Sequence, residues 1–397
     1  IYYKTNRQIF QMRFEMIFCY VILLISIKGG GIFMNPTLKK TLKIIRLTLL
    51  SLVGLILLIL VGYVIYLSAT YYRIDDNQTL DVTNNQTAQI SLNEDYSITT
   101  YNIGFGAYTQ DFDFFMDTGE MLDGTKTSGS GSRAKDKQTV LDNTNGALQT
   151  ILQQETDFAF FQEVDTKADR SFFVNQYEML QDAFTNYSSV FASNFHSGFL
   201  FYPLTNPHGA VNAGIATFSK YEISESVRRS FPIDNGFFTK FFDLDRCFQV
   251  NRLNIQGSDK QLVLINLHMS AYDEGGKIRA LQLEMLKNVL SEEYAKGNYV
   301  IAGGDWNHDI ANSLNTFETQ QKVPEWVAQI NEEDLPEGFS FATSTNAPTC
   351  RSTDMPYEIG VNYSVVIDGF IVSDNVTASV VNIDTDFMYS DHNPVKM

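Results

Sequence analysis

The chain has 397 residues, of which 44% are hydrophobic and 13% aromatic. This composition excludes a soluble disordered protein, and the length suffices for one large core of about 250 to 300 residues plus accessory segments. The formal charge of −17 excludes a broad basic surface. Binding to a polyanion would therefore depend on bound cations and on a few local Lys or Arg side chains.

The first 33 residues differ from the rest of the chain. The chain starts with Ile1, and Lys28-Gly29-Gly30-Gly31 lies just before Met34, as a purine-rich ribosome-binding sequence would if it were read as codons. We expect residues 1–33 to be non-native upstream translation or a cytoplasmic leader, with translation starting at Met34. The apolar run 17–27 is too short to span a membrane.

A long apolar run follows a basic segment at residues 34–46. No charged residue occurs from 47 to 72, and about 20 apolar residues suffice for a membrane-spanning helix. Residues 47–70 are therefore predicted to be a transmembrane helix, with a cleaved signal peptide as the alternative. Basic residues before the run and acidic residues after it predict a cytoplasmic N-terminus and an extracellular catalytic domain in a single-pass protein of the cell membrane.

Residues 71–95 are predicted to be an extracellular tether, because the stretch 75–93 is rich in Asp, Asn, Gln and Thr and has little apolar periodicity. Cysteines are sparse in the chain. Cys19 falls in the leader, whereas Cys247 and Cys350 either form one disulfide or remain buried thiols. No cysteine pair has the spacing of a zinc site.

From residue 96 to 397, short β-rich runs alternate with helical patterns. The predicted strands are 97–103, 158–162, 214–218, 262–267, 299–303, 365–372 and 377–382. The predicted helices are 139–154, 176–182 and 278–294. This mixture indicates an α+β domain, a four-layer α/β/β/α sandwich of two packed mixed β-sheets flanked by helices.

Two regions outside the predicted strands carry further expectations. Glycine and serine between Asp111 and Lys137 predict a mobile loop beside the site, in which Arg133 is either a phosphate contact or an ordinary surface arginine. His196 and His208 are expected in a surface loop, with a substrate-side role as the alternative.

An aromatic cluster at residues 231–242 bears on the substrate. It contains Phe231, Phe237, Phe238, Phe241 and Phe242. Many of these must be core, and any exposed ones could stack on bases or enter a lipid headgroup layer. Lys240 and Arg246 either supply positive charge to a substrate rim or form salt bridges.

Five segments place a carboxylate, an amide or an imidazole at the end of an apolar run. They are Tyr101-Asn102-Ile103-Gly104, Phe161-Gln162-Glu163-Val164-Asp165, Asn266-Leu267-His268-Met269, Gly303-Gly304-Asp305-Trp306-Asn307-His308-Asp309 and Ser390-Asp391-His392-Asn393-Pro394-Val395. A strand would carry each polar group to one edge of a sheet. Together these segments predict a metal-dependent phosphoester hydrolase.

Such chemistry requires a cation for the nonbridging oxygens, a base for water and donors that stabilise developing charge. Glu163 suits a hard cation that prefers oxygen ligands, and Asn102 offers an amide to the metal or to phosphate. Asp305 and Asn307 alternate along the chain, so both can point to the same side. His392 is the natural acid or base, and the carboxylate that best fixes its tautomer is that of Asp368 in Ile367-Asp368-Gly369.

The five segments, with Ile367-Asp368-Gly369 as a sixth, resemble the endonuclease/exonuclease/phosphatase superfamily. Relatives include deoxyribonuclease I, abasic-site endonucleases, neutral sphingomyelinases and inositol-polyphosphate 5-phosphatases. All six motifs occur in family order over about residues 96–397. The resemblance implies an endonuclease-like phosphodiesterase that uses Mg²⁺, with Mn²⁺ or Ca²⁺ as alternatives, and acts on nucleic acid. A phospholipid or sugar-phosphate hydrolase and a non-catalytic binding protein are two further hypotheses.

The resemblance also implies individual roles. The metal ligands would be Glu163, Asn102 and Asp391; the catalytic residues would be His268, Asp305, Asn307, Asp368 and His392. Among these, Asp305 would orient water, Asn307 would hold the phosphoryl group, His268 would donate to a phosphate oxygen, and the His392–Asp368 pair would act as acid and base. His308 and Asp309 are interpreted as neighbours of the site.

Two departures point away from a DNA-repair enzyme. Abasic-site endonucleases usually have Tyr where this chain has His268, and often Asp where it has Gly104. Both favour the deoxyribonuclease-like and sphingomyelinase-like branches. Purely structural roles are also open: Asn102 as a turn residue, Asp305 and Asn307 as caps, and His268 as a core histidine. The last three residues leave little room for a closing strand, so we expect a truncated C-terminus.

Overall fold

The computed structural model describes residues 35–397 apart from 235, 238, 242–243 and 272–275. The predicted leader, Cys19 and the predicted start at Met34 lie outside the described residues. The chain divides into two compact units, of which the first ends at Ala69 and the second spans Thr70–Met397. The second unit contains all six motifs.

The described part of the first unit is one apolar helix, α1 (Pro36–Thr70), which is long and apolar enough to cross a membrane. The Asn35 side chain accepts the backbone N–H of Thr37 at 3.0 Å and so caps the helix. Pro36 occupies the first turn, where its missing N–H costs nothing. The predicted span 47–70 is thus the C-terminal part of a longer helix, because the capping residues precede the basic segment.

Three helices of the second unit confirm the helical patterns within two residues. They are α2 (Lys137–Leu152), α3 (Gln176–Ala183) and α4 (Lys277–Ala295). Side-chain caps begin two of them: Asp136 accepts from the N–H of Thr139, and Asn175 accepts from the N–H of Glu178.

The strands of the described residues form two large sheets and several short ladders. They are β1 (Gln78–Thr79), β2 (Ile98–Asn102), β3 (Thr118–Glu120), β4 (Lys126–Ser128), β5 (Phe158–Asp165), β6 (Ser188–Leu200), β7 (Gly209–Ser219), β8 (Glu225–Ser230), β9 (Cys247–Asn254), β10 (Gln261–His268), β11 (Tyr299–Asp305), β12 (His308–Asp309), β13 (Ala328–Gln329), β14 (Phe339–Ala342), β15 (Cys350–Arg351), β16 (Ser364–Val365), β17 (Asp368–Ser373), β18 (Val381–Asn382) and β19 (Val395–Lys396).

Both large sheets are mixed, as predicted. One has the order β1-β8-β9-β10-β11-β17-β14 and the other β18-β19-β2-β5-β7-β6. The pairs β10/β11 and β2/β5 are parallel, and β19 pairs with β2 in the antiparallel sense. Parallel neighbours end at the same edge of a sheet, so their polar last residues are brought together.

The layers are helix, sheet, sheet and helix, which confirms the α+β sandwich. Phe160 and Leu264 belong to the apolar cluster between the two sheets. Leu286 of α4 covers the outer face of the seven-stranded sheet, while Ile151 of α2 and Leu180 of α3 cover the other. Each such fully buried side chain stabilises the fold by about 1.5–3 kcal/mol.

Buried amides cross the interface between the sheets. The Nε2 of Gln162 donates to the Oδ1 of Asn266 at 2.8 Å, and the Nδ2 of Asn266 donates to the carbonyl of Ala216 at 2.9 Å. Buried amides are costly unless they are hydrogen-bonded. Because Gln162 precedes Glu163 and Asn266 lies two residues before His268, this network fixes the two sheets against each other beside the motifs.

Residues 71–95 are not an exposed tether, so that prediction is wrong. Strand β1 pairs with β8 at the edge of the seven-stranded sheet. Thr83 bridges Ser189, and Ile90, which is buried, bridges Ile255. Backbone hydrogen bonds to exposed sheet edges order this polar segment. Such bonds do not depend on residue type, so composition does not predict them.

Residues 111–137 are also more ordered than predicted. They contain the β3–β4 hairpin, and Asp113 accepts backbone N–H groups of Ser130 and Gly131. The guanidinium of Arg133 lies 4.3 Å from the ring centroid of Phe172. This segment is ordered by short polar side chains that accept local backbone N–H groups. It lacks the apolar periodicity from which a folded segment is ordinarily predicted.

The two histidines expected in a surface loop lie elsewhere. His196 is in β6, and its ring stacks on Tyr72 with centroids 3.8 Å apart. His208 is buried with its Nδ1 2.6 Å from the carbonyl of Ser132, and burial lowers its pKa to about 3. Both histidines belong to the long β6–β7 hairpin, with His196 in β6 and His208 just before β7.

The cysteines and the aromatic cluster at 231–242 now have defined environments. Cys247 and Cys350 are buried free thiols. Phe231 and Phe241 are buried whereas Phe237 is exposed; Phe238 and Phe242 lie outside the described residues. The run predicted as a strand at 377–382 is wrong for the most part, because only Val381–Asn382 pairs.

Candidate active site

Three polar residues form a row at one edge of the seven-stranded sheet. Strand β10 ends at His268, β11 ends at Asp305 and β17 begins at Asp368. In the ladder, His268 lies opposite Asp305, and Asp305 lies opposite Asp368. The Nε2 of His268 is 3.3 Å from the Oδ2 of Asp305. Strand register therefore places two carboxylates and an imidazole side by side.

The six-stranded sheet contributes Asn102 to the same place. Asn102 is the last residue of β2, and its Nδ2 donates to the Oδ2 of Asp305 at 2.9 Å. The same Nδ2 lies 3.5 Å from the Oε1 of Glu163 and 3.4 Å from the Nε2 of His392. The edges of the two sheets thus meet at one cleft.

Glu163 owes its position to a β-bulge. The pairing of β5 with β7 shifts register between Phe161 and Val164, and Glu163 has φ +56°. A non-glycine residue in this left-handed region is uncommon and marks a position that the surrounding fold holds in place. The bulge changes the direction of the Glu163 side chain. In a regular strand that direction would be set by the simple alternation of side chains between the two faces of the sheet.

His392 is held by contacts on both sides of its segment. The hydroxyl of Ser390 donates to the carbonyl of Asn102 at 2.8 Å, and Cys350 forms an antiparallel bridge with His392. The Nδ1 of His392 is 2.8 Å from the Oδ2 of Asp368. Because that nitrogen is engaged, the Nε2 is left facing Asp305, whose Oδ2 lies 3.7 Å away.

Electrostatics stabilise a charged His392. Desolvation alone would lower the pKa of His392, but the adjacent Asp368 carboxylate raises it well above the ordinary value. Burial raises the pKa of Asp368 to about 6, against the opposing effect of His392. A carboxylate on one imidazole nitrogen fixes the ring orientation and stabilises the imidazolium. When Nε2 is unprotonated, the ring can accept a proton there, and the charged ring that the carboxylate stabilises can return it.

His268 has the opposite electrostatic character. Burial lowers its pKa well below the ordinary value, and the positive charges of Arg246 and His392 act in the same direction. Its ring is therefore neutral at physiological pH. With Nε2 beside the Asp305 carboxylate, the ring serves as a hydrogen-bond donor there.

Asn307 is placed by a turn at the end of β11. Its backbone N–H donates to the Oδ1 of Asp305 at 2.9 Å, and its Nδ2 donates to the carbonyl of Met269 at 2.8 Å. The residue has φ +50°, a conformation that Asn tolerates better than most residues. Since Asn102 takes the second oxygen of Asp305, the carboxylate is held in a fixed orientation.

All eight residues predicted for the site lie in this cleft. They are Asn102, Glu163, His268, Asp305, Asn307, Asp368, Asp391 and His392. His308 and Asp309 have contacts with groups other than these eight residues. The Nδ1 of His308 is 2.6 Å from the carbonyl of Trp306, and Asp309 accepts the N–H and hydroxyl of Ser313.

Two buried arginines beside the cleft were missed by the sequence analysis. Arg170 makes a paired contact with Asp165. Burial raises the pKa of Glu163, and the charge of Arg170 opposes that rise. Arg351 follows Cys350, and its backbone N–H donates to the carbonyl of Asp391. The only signal for Arg170 is its position five residues after the second motif, and Arg351 has no motif at all.

The family profile described as the Endonuclease/Exonuclease/phosphatase family matches residues 99–392. This chain belongs to the endonuclease/exonuclease/phosphatase family. The match begins in β2 and ends at His392, so it covers the whole cleft. Family membership supports a phosphoester hydrolase. No curated protein sequence is similar enough to this chain to count as a match.

Several solved structures are similar to this chain. The endonuclease/exonuclease/phosphatase from Beutenbergia cavernae is 14% identical with a TM-score of 0.51, and the alignment covers 76% of this chain and 70% of that one. The human Nocturnin catalytic domain with bound sulfate is 14% identical, with a TM-score of 0.44 and coverage of 80% and 96%. TDP2 from D. rerio, complexed with a single-strand DNA product, is 14% identical, with a TM-score of 0.46 and coverage of 76% and 97%. At this identity the first similarity shows a shared fold.

Members of the endonuclease/exonuclease/phosphatase family use divalent metals, and the cleft offers suitable donors. Glu163 and Asp391 are partly exposed, whereas Asp305 and Asp368 are buried. The partial burial of the two carboxyl groups raises the pKa of both Glu163 and Asp391, and repulsion from the Asp391 carboxylate raises the pKa of Glu163 further. A cation at this open side would relieve that repulsion, and an all-oxygen set suits Mg²⁺.

A second group of ligand atoms also lies in the cleft. Atoms of Asp305, Asp368 and His392 fall within 4.8 Å of one another. The Nδ1 of His392 is already bonded to Asp368, so this group is better suited to proton transfer. The donor chemistry of the endonuclease/exonuclease/phosphatase cleft therefore favours the Glu163 side for a hard cation.

Proposed function

We propose that this protein is a divalent-metal-dependent phosphodiesterase in which the His392–Asp368 pair activates water for attack on phosphorus. The observation that carries the proposal is the 2.8 Å contact between His392 and Asp368 beside the Asp305 row. An imidazole oriented by one carboxylate and facing a second is suited to general acid–base catalysis.

Glu163, Asn102 and Asp391 would hold the metal, with Mg²⁺ as the first candidate and Mn²⁺ or Ca²⁺ as alternatives. When bound, the cation neutralises the nonbridging phosphate oxygens and so favours attack on phosphorus. The amide of Asn102 lies between Glu163 and Asp305, which couples the metal-binding side of the cleft to the acid–base side.

The remaining side chains orient the reactants. Asp305 accepts from Asn102 on one oxygen and from the N–H of Asn307 on the other, so its carboxylate is fixed for orienting the attacking water. Asn307 would donate to the phosphoryl oxygens through the second N–H of its Nδ2, and the neutral ring of His268 would donate to them by moving its single N–H from Asp305 to the phosphate. His392 would take the proton from water at Nε2 and later return one to the leaving oxygen.

Two substrate classes fit this chemistry. The endonuclease-like class, nucleic acid, follows from the motifs. The second, a phospholipid headgroup, is favoured by one observation: the tip of the β6–β7 hairpin exposes Phe201, Tyr202 and Leu204 to solvent. The proposed setting also agrees with a lipid substrate, since α1 would span the cell membrane once and place the second unit outside.

The test uses the full chain in detergent micelles. We expect cleavage of bis-p-nitrophenyl phosphate with Mg²⁺, its loss with EDTA and its return when Mg²⁺ is restored. Plasmid DNA, single-stranded DNA and sphingomyelin in mixed micelles, each assayed in parallel, separate the two substrate classes. No turnover of any phosphodiester by the metal-loaded protein would refute the proposal.

A further inference from the structure

The residues that directly follow α1, from Arg73 to Asp76, are bonded to the rest of the second unit. The backbone N–H of Ile74 donates to the Oδ2 of Asp245 at 2.8 Å, and Arg73 pairs with the other oxygen of Asp245 at 2.9 Å. Asp76 then pairs with Arg229 at 3.0 Å. Only two or three residues separate the end of α1 at Thr70 from these contacts, a reach of about 10 to 14 Å at most.

Aromatic side chains surround this attachment. The Tyr72 ring stacks on His196 with centroids 3.8 Å apart, and the Tyr71 ring meets the edge of Phe241 at 5.6 Å. Phe237 also packs edge-on against Phe241, yet 54% of its surface is exposed. We call Tyr71, Tyr72, Phe237, Lys240 and Phe241 the juxtamembrane aromatic face.

Lys240 gives this face an amphipathic character. Its Nζ lies about 5 Å from the ring centroids of Tyr71, Phe237 and Phe241. A lysine that lays its stem on aromatic rings keeps its ammonium group available to phosphate headgroups. Aromatic rings with a polar or cationic edge are characteristic of residues at a membrane–water interface.

The tip of the β6–β7 hairpin exposes further large side chains. Strand β6 continues from His196, under the Tyr72 ring, to Leu200. Beyond it, Tyr202 is 65% exposed and Leu204 is 84% exposed. Large apolar side chains exposed together on one projection are unusual for a surface that faces only water.

We propose that the juxtamembrane aromatic face and the tip of the β6–β7 hairpin rest in the headgroup layer of the bilayer that α1 spans. The short reach from Thr70 requires the bilayer surface to lie close to Tyr71 and Tyr72. The occupant is a zwitterionic phosphatidylcholine surface, because a chain with a formal charge of −17 gains no general attraction to anionic lipids. The inference rests on α1 crossing the membrane and not on which phosphoester is cleaved.

This placement has a consequence for the cleft. Phe195, next to His196 in β6, lies 5.5 Å from the guanidinium of Arg170, which also lies 3.9 Å from the Phe105 ring. Arg170 in turn pairs with Asp165 of the second motif. A hairpin seated in the headgroup layer would hold this side of the cleft beside the lipid surface.

The experiment uses the full chain in a Cys19→Ser background, reconstituted into phosphatidylcholine vesicles. Single cysteines replace Phe237, Leu204 and, as a matched control, the exposed Leu122 on the β3–β4 hairpin. Each is labelled with nitrobenzoxadiazole, since Cys247 and Cys350 are buried. We expect doxyl-labelled phosphatidylcholine to quench the Phe237→Cys and Leu204→Cys labels at least about twofold more strongly than the control.

The outcomes are distinct. Quenching at Phe237 or at Leu204 that only equals the Leu122 value would overturn the proposal, as would failure of the unlabelled protein to float with vesicles. Because the contact is aromatic, high salt should leave the quenching unchanged. Near-UV circular dichroism of each labelled variant shows that it is folded. Phosphodiesterase activity is not needed for any of these readouts, so failure here is separate from failure of the proposed function.

Discussion

Asp305 and Asp368 face each other directly across the ladder between β11 and β17. Two carboxylates in such register repel unless each has a separate partner. Asp368 has His392 at 2.8 Å, and Asp305 has Asn102 at 2.9 Å. Asp368 therefore orients the imidazole of His392, while Asp305 binds the amide of Asn102 from the six-stranded sheet.

His392→Ala should lower kcat for a soluble phosphodiester by about 10²- to 10⁴-fold, because the proposed acid–base group is lost. The control is His308→Asn. His308 is also a buried imidazole near the row, but its Nδ1 is bonded to the carbonyl of Trp306. A similar loss in both variants would show that the effect is structural.

Asp368→Asn should lower kcat while leaving KM nearly unchanged. The Asn amide would present a donor to Nδ1 of His392 as readily as an acceptor, so the ring would lose its fixed tautomer. The ¹⁵N shifts of a labelled His392 should then report the other tautomer. Unaltered ¹⁵N shifts together with full activity would contradict the proposed pairing.

Glu163→Gln should weaken Mg²⁺ binding by at least about 10-fold, because the hard cation loses a charged oxygen ligand. The measurement is the rise in Tm with added Mg²⁺, which does not require turnover. Glu155→Gln is the matched control, since Glu155 is exposed and also has positive φ at +52°. If both variants keep the wild-type Mg²⁺ dependence, Glu163 is not a ligand.

Gly104→Ala should reduce both stability and activity. Gly104 has φ +51°, and an added Cβ would lie 2.6 Å from the Cδ2 of Tyr108 and 3.0 Å from the Oδ1 of Asp391. Gly257→Ala is the control that separates backbone strain from steric clash. Gly257 also has a positive φ, +74°, but an added Cβ there would have nothing within 4 Å. We expect a loss of about 1 kcal/mol in unfolding free energy for Gly257→Ala and a larger one for Gly104→Ala. Equal losses would mean that the close approaches to Tyr108 and Asp391 have no role.

Glu293 provides a pH-dependent contribution to stability. Burial by itself would raise the pKa of Glu293, but hydrogen bonds from Arg252 and Lys296 lower it to about 2. Because the folded pKa is below the unfolded value, this stability is present above about pH 4.5 and is lost as the pH falls toward 2.

Glu293→Gln should therefore lower the unfolding free energy at pH 7 by about 1–3 kcal/mol and by much less at pH 3. Urea unfolding of the full chain in micelles, followed by the fluorescence of Trp306 and Trp326, measures this difference. Glu225→Gln removes the exposed partner of the same Arg252 and should have a much smaller effect. An equal effect of Glu293→Gln at both pH values would contradict the assignment.

Much of the second unit was predictable because its helices and central strands have strong local patterns. The helices at 137–152 and 277–295 have capping or amphipathic signals, and the buried strands β10 and β11 are nearly continuous apolar runs. Strands β6, β8 and β9 were missed, since Ser, Asn, Arg and Gln interrupt their apolar residues. Their order comes from pairing with distant strands, which local sequence does not show.

Residues 71–95 are a second case in which local sequence does not show pairing with distant strands. A polar, aperiodic sequence looks like a tether, but Asp76 and the strand β1 find partners about 150 residues away. Backbone hydrogen bonds to a sheet edge require no particular side chains. Composition therefore could not distinguish a docked segment from a free one.

The sequence by itself determined the family and the polar groups that the site contains, because six motifs in order place oxygen and imidazole groups after apolar strands. Only the tertiary structure decided how those groups meet. The ladder register aligns His268, Asp305 and Asp368, and a bulge with φ +56° turns Glu163 toward Asn102. Register and bulges depend on the pairing of strands far apart in the chain, so no local pattern specifies them.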